Sequence, residues 1–170
     1  MIRIFIALDL PADIKDAITS LKSKIKGAKW ANREQMHLTL RFIGEVTEFK
    51  LKEIVEALDQ ISYHPFSLKL KGVGHFSSKV LWVGVVPCEE LEILKDKIEK
   101  KLLAQGFKAE LKNFKPHITL ARLKGGNISE FLEMHSLFES SEITVEEFIL
   151  YSSNLTPSGA IHTVESKFCL

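Results

Sequence analysis

The 170-residue sequence predicts an α+β protein, a single domain over residues 1–170 built as two pseudo-symmetric sheet-and-helix lobes that flank a central cleft. Three observations lead there. Short runs of alternating apolar residues interleave with runs of helical apolar spacing along the whole chain. No linker or low-complexity stretch separates the halves. Finally, Met36-His37-Leu38-Thr39-Leu40-Arg41-Phe42 and Pro116-His117-Ile118-Thr119-Leu120-Ala121-Arg122 repeat one pattern, with the histidines 80 residues apart. Each copy follows a helix, as a weak internal duplication would leave it, and the two motif strands are expected to face each other across the cleft.

Residues 2–8 alternate Ile2, Ile4, Ile6 and Leu8 with Arg3, Phe5 and Ala7, the pattern of a strand. Pro11 can open a helix carrying Ile14, Ile18, Leu21 and Ile25 on one face, stopped at Gly27. A polar connection over 30–35 leads into the first motif strand, which ends near Gly44. Leu51, Ile54, Val55, Leu58 and Ile61 mark a second helix, and Tyr63-His64-Pro65 returns the chain to extended backbone. Strands are expected over 67–73 and 80–86, joined by a loop containing Gly74, His75, Ser77 and Ser78. Leu91, Leu94, Ile98 and Leu102 define a third helix ended by Gly106. After the second motif strand, Gly125-Gly126 breaks the chain ahead of a short helical segment over 127–137. Strands over 143–151 and 160–168 follow, separated by the turn at Thr156-Pro157-Ser158-Gly159.

A net charge of +1 excludes binding to polyanions through bulk charge. Attraction to nucleic acid must come from local clusters, such as Lys108, Lys112, Lys115, Arg122 and Lys124 against Glu110 alone. Cys88 and Cys169 provide neither a disulfide framework nor metal-ligand spacing. Arg3 and Asp9 interrupt the N-terminal apolar run, so it does not read as a signal peptide. No stretch approaches the roughly 18 apolar residues of a membrane span. A soluble, cytoplasmic monomer without membrane contact is the expectation.

Alternation puts His37 and Thr39 on one strand face and Leu38 and Leu40 on the other; His117 and Thr119 stand likewise against Ile118 and Leu120. Such histidines can bind metal, move protons or do nothing beyond structure. Metal ligation is disfavoured: no Asp, Glu or Cys shares the histidine-bearing face, threonine is a poor ligand, and a nearby arginine repels a cation. Proton transfer fits better, because an imidazole titrating near pH 6.5 lets one copy be neutral while the other is charged. One could deprotonate an attacking water and the other protonate a leaving oxygen. Threonine hydroxyls and the arginines Arg41 or Arg122 could hold an anionic oxygen between them. The residue types thus suit a phosphodiester held without a metal or other cofactor. Accidental similarity of two apolar strands is the competing explanation.

This paired and flanked set resembles the two-histidine (2H) phosphoesterase superfamily, and within it the RNA 2′,3′-cyclic phosphodiesterases, also called the 2′-5′ RNA ligase family. The likeness extends from Arg3-Ile4-Phe5-Ile6-Ala7-Leu8 through both motifs to Gly159-Ala160. It implies a bilobal fold, no metal, and hydrolysis of a terminal 2′,3′-cyclic phosphate on RNA ends or oligonucleotides to a 2′-phosphate, with reversible 2′-5′ ligation by the same residues. His37 is then the general acid and His117 the general base, with Thr39, Thr119 and Arg122 on the phosphate. Arg41, in register with His37, is a lesser phosphate-binding candidate. Arg122 sits five positions after His117, an offset that puts it on the wrong face of an ideal strand, so a bulge or strand end near Ala121 is expected. His162 departs from the aromatic residue, commonly Tyr, expected of the family. A non-catalytic nucleotide- or RNA-binding module of the same fold and a phosphodiesterase for small cyclic nucleotides such as ADP-ribose cyclic phosphate are the alternatives. Phe5 and Trp30 are candidates for stacking on a base. His64, His75 and His135 read as surface residues.

Overall fold

β1 (Ile2–Asp9) lies within a four-stranded antiparallel sheet, flanked by β3 (His37–Val46) and by β9 (Glu147–Thr156), with β10 (Gly159–Cys169) beyond β9. The computed structural model describes all of residues 1–170. A second sheet runs β2 (Lys29–Trp30), β7 (His117–Arg122), β6 (Val80–Val85), β5 (Leu70–Phe76). A small ladder pairs β4 (Phe66–Leu68) with β8 (Ile143–Val145). The helices are α1 (Ala12–Thr19), α2 (Glu48–Asp59), α3 (Glu89–Ala104) and α4 (Ser129–Met134). The class is α+β.

The two lobes share a plan. In one, α1 lies between β1 and the antiparallel motif strand β3; in the other, α3 lies between β6 and the antiparallel motif strand β7. The lobes are not contiguous halves, however. The C-terminal strands β9 and β10 complete the first sheet, and β2 from the N-terminal half edges the second. One cluster of 33 buried residues accordingly contains residues of both sheets, with Ile14 and Ile18 from α1 and Leu91, Leu94, Ile98 and Leu102 from α3. No helix is long and apolar enough to cross a membrane.

Several boundaries differ from the sequence expectation, each for a local reason. α1 stops at Thr19 instead of continuing through Ile25. The hydroxyls of Thr19 and Ser20 donate to the carbonyls of Lys15 and Ala17, competing with continued helix at its last turn. The strands expected over 67–73 and 143–151 each split, into β4 and β5 and into β8 and β9, so that one piece enters the small ladder. Gly74 and His75 lie inside β5, not in a loop; the turn is the three residues Ser77-Ser78-Lys79, in which Ser77 and Ser78 have φ of 51° and 54°. Two consecutive positive φ angles make Ser77 and Ser78 the centre of a primed turn, closed by the Lys79 N–H on the Phe76 carbonyl at 2.9 Å. Gly74 is needed where it stands, because a Cβ there would come within 2.4 Å of the Trp82 ring. The polar connection over 30–35 contributes β2 and a 3₁₀ turn, Arg33–Gln35.

Both motif strands are bulged at the same place. Pairing of β3 with β1 skips Leu40, and again Ile43, while pairing of β7 with β6 skips Leu120. A bulge withdraws one residue from its ladder. The Leu120 carbonyl accepts from the Ala31 backbone N–H at 2.8 Å. β3 is an edge strand with no such neighbour, and the Leu40 carbonyl accepts instead from the buried Lys95 ammonium at 2.6 Å. Glu99 at 2.9 Å and Glu110 at 2.7 Å balance that charge.

Lys95→Met should therefore lower unfolding stability by about 3 kcal/mol, the cost of removing one partner from a buried charge network. Urea denaturation tests this; a loss below about 0.5 kcal/mol, the range of neutral surface changes, would contradict it.

Candidate active site

The two histidines are held by one repeated device. His37 Nδ1 lies 2.6 Å from the Gln35 carbonyl, and His117 Nδ1 lies 2.7 Å from the Lys115 carbonyl. A carbonyl can only accept, so each Nδ1 carries its hydrogen and each neutral ring is left with Nε2 as its basic nitrogen. Leu38 and Leu40 on β3, and Ile118 and Leu120 on β7, are fully buried, which anchors the opposite strand faces. His37, Thr39, His117 and Thr119 are half-buried, and β3 and β7 contact each other.

The bulges decide what else joins them. With Leu120 out of the ladder, Leu120 and Ala121 both turn to the core and the exposed Arg122 returns to the face of His117 and Thr119. The bulge predicted near Ala121 lies one residue earlier. In β3 the same irregularity removes Arg41 from the register expected of it. Its Nε lies 2.7 Å from Glu99 Oε1, and its Nη2 donates to the Lys108 carbonyl at 2.6 Å. Only 11% of its side chain is exposed, among carboxylates that already compensate it. Arg41 is thus an ion-pair residue of the Lys95 cluster rather than a phosphate ligand. The position equivalent to Arg122 is Phe42, five residues after His37, exposed and paired with Phe5.

An aromatic wall surrounds His37. Phe5 lies 5.0 Å from the His37 ring, 5.5 Å from Phe42, 5.2 Å from Tyr151 and 4.9 Å from His162, centroid to centroid. At 2% exposure Phe5 is the floor of this wall and has no free face for a base. Trp30 also fails as a stacking platform. It pairs with the buried Ala121 on the core side, 5.9 Å from Phe131. Around His117 the neighbours are Phe76, edge-on at 4.9 Å, and Trp82 at 6.3 Å. His64, His75 and His135 lie outside both rings of contacts; His75 accepts from the Ser78 N–H.

Phe42, Tyr151, Phe76, Trp82 and Gln35 escaped the sequence reading. Phe42 had one usable signal, the same five-residue offset as Arg122. Gln35 acts twice: its carbonyl orients His37, and its amide donates to the Ala160 carbonyl, tying the β9–β10 hairpin that carries His162 to the motif.

Burial, reinforced by the His162 imidazole 5.2 Å away, lowers His37 from the ordinary 6.5 to about 4. Burial lowers His162 as well, and raises the Tyr151 hydroxyl to about 12, so that phenol stays a donor. No group of three or more His, Cys, Asp and Glu side chains is placed to hold a metal ion, and both cysteines are free.

A fold of two strand–helix–strand lobes, each presenting a backbone-oriented histidine beside a threonine, defines a phosphoesterase of the two-histidine class. The family model described as LigT like Phosphoesterase matches residues 8–86 and again 83–162, one match for each copy of the motif. The chain belongs to this family. It is 37% identical to an RNA 2′,3′-cyclic phosphodiesterase of Methanocaldococcus jannaschii, covering 95% of this chain and 97% of that one. It is 38% identical to one of Thermotoga maritima, with 95% and 92% covered. Among solved structures, E. coli LigT complexed with 3′-AMP superposes with a TM-score of 0.84 at 27% identity, covering 99% and 97% of the two chains.

The depressed His37 fixes the sign of a stability effect. The unfolded chain takes up a proton near pH 6.5 that native His37 refuses until about pH 4, so the stabilisation is complete above pH 6.5 and is lost as pH falls toward 4. The loss should reach about 3 kcal/mol, and His37→Gln should flatten the pH dependence in proportion. Urea titrations at pH 7 and pH 4.5 read this directly; parallel losses in both proteins would refute the assignment.

Proposed function

We propose that the chain is a metal-independent RNA 2′,3′-cyclic phosphodiesterase, working as a cytoplasmic monomer on RNA ends. The observation that carries this reading is the duplicated histidine mount. Both Nδ1 hydrogens are committed to backbone carbonyls, so both Nε2 atoms are available for proton transfer. A pure binding module would need Arg122 and the threonines but not two such rings. The names of the relatives and the 3′-AMP bound to E. coli LigT support the same substrate chemistry.

In the proposed reaction His117 Nε2 takes a proton from water as its oxygen attacks phosphorus. The bond from phosphorus to O3′ breaks, and protonated His37 Nε2 delivers a proton to that oxygen. The products are a 2′-phosphate and a free 3′-hydroxyl. Thr39, Thr119 and Arg122 hold the non-bridging oxygens, where fixed donors stabilise charge that grows in the transition state. His37 is neutral at pH 7 in the free protein, so the phosphodiester anion itself must raise its basicity on binding. A 5′-hydroxyl in place of water would give a 2′–5′ linkage by the same transfers.

The test is an oligoribonucleotide ending in 2′,3′-cyclic phosphate, incubated with EDTA and resolved for its product. A 2′-phosphate should form, and His37→Ala and His117→Ala should each lower kcat by about a hundredfold or more. Turnover by either variant near the wild-type rate would remove the mechanism. Arg122→Gln should raise KM by about tenfold, in the range of a lost charge-assisted hydrogen bond, whereas Arg41→Gln should leave KM within about twofold.

A further inference from the structure

Cations are distributed unequally between the lobes. Around β3 they are neutralised: Arg41 and Lys95 by Glu99 and Glu110, and Lys15 by Asp9 at 2.9 Å. At the end of β7 they are not. Lys29 is the direct cross-strand partner of Arg122, on the exposed face opposite Trp30 and Ala121. Arg122 also pairs with Val80, directly after Lys79, whose carbonyl accepts from the Leu123 N–H at 2.8 Å. Two glycines bring a further pair of lysines to the same edge. Gly27 and Gly126, with φ of 78° and 96°, let two loops touch. A Cβ on Gly27 would stand 3.5 Å from the Lys124 Cβ, and one on Gly126 would stand 3.0 Å from the Lys26 carbonyl. None of Lys26, Lys29, Lys79, Arg122 and Lys124 has a carboxylate within 4.0 Å, and all five are exposed.

We propose that this edge, running from Arg122 across β2 to the loops at Lys26 and Lys124, is the track for the RNA strand leading into the site. Arg122 takes the terminal cyclic phosphate, and Lys29, one strand spacing or about 5 Å further out, takes the next backbone phosphate. Lys26 and Lys124 extend the track beyond it. Unpaired lysines on an exposed edge suit contacts that follow a backbone without reading sequence. The inference rests on the phosphodiesterase reading and narrows it: the preferred substrate is a polynucleotide end rather than a cyclic mononucleotide.

The triple variant Lys26→Ala/Lys29→Ala/Lys124→Ala separates these substrates, with Lys52→Ala/Lys100→Ala/Lys167→Ala on the exposed faces of α2, α3 and β10 as a control for net charge. kcat/KM would be measured against salt for a short oligoribonucleotide ending in 2′,3′-cyclic phosphate and for a mononucleoside 2′,3′-cyclic phosphate. The triple variant should lose about tenfold on the oligonucleotide at low salt, and the slope of log kcat/KM against log salt should shrink by about two, since each single-strand phosphate contact adds about 0.7. Its rate on the mononucleotide should stay within about twofold. An equal loss on both substrates, or an oligonucleotide rate matching that of the charge control, would overturn the track. If neither substrate turns over in the wild type, the phosphodiesterase reading fails instead. Anisotropy of a labelled oligonucleotide then judges the track: weaker, less salt-dependent binding by the triple variant upholds it, and unchanged binding overturns it.

Discussion

A β-strand shows only alternate side chains to any one surface, and both halves of this site are built around that restriction. Each motif strand must bury two large aliphatic residues to stay in place while offering histidine and threonine on its other side. Pure alternation would then leave the residue five positions on facing the core. A single skipped residue, Leu40 in one strand and Leu120 in the other, reverses the facing from that point onward. The bulge leaves a carbonyl in need of a donor, and a buried orphan carbonyl is costly. The two lobes meet that need differently, one with a backbone N–H from β2 and the other with the Lys95 ammonium. Much of the charge distribution follows from that difference, because a buried ammonium requires Glu99 and Glu110, and those carboxylates in turn hold Arg41.

The lobes are thus alike in backbone and unlike in chemistry. On the β7 side the second position after the bulge is a free guanidinium with unpaired lysines beside it. On the β3 side the same position is an exposed phenylalanine over a buried aromatic floor. The pseudo-symmetric frame mounts two histidines alike on backbone carbonyls, and its asymmetric decoration makes one flank cationic and the other aromatic.

The setting of His37 shows how closely packing and protonation are coupled. Phe5, His162 and Tyr151 exclude water from one side of the imidazole, which favours the neutral ring. An acid role therefore depends on the substrate's own negative charge, so binding and proton uptake become linked. Gln35 keeps that environment assembled, since it orients the ring and holds the hairpin bearing His162 against it.

Local pattern carried much of this. The alternation around His37 and His117, the helical spacing of Leu91, Leu94, Ile98 and Leu102, and the wrong-face offset of Arg122 are all properties of neighbours in the chain, where strand and helix periodicity act directly. The α+β class followed from them. What depended on distant segments was illegible. Arg41 stood as a lesser phosphate-binding candidate until α3 supplied Glu99, and Phe5 stood as a candidate for base stacking until β9 and β10 returned from the C-terminus to cover it. Trp30 and Lys29 differ in role only because β2 joins β7, which sends one to the core and the other to the surface. The sequence by itself determined that His37 and Thr39 share one strand face and His117 and Thr119 another, because residue chemistry and period-two alternation are local. Only the tertiary structure decided which cations stay unpaired and which aromatics stay exposed, because pairing and burial depend on segments tens of residues away.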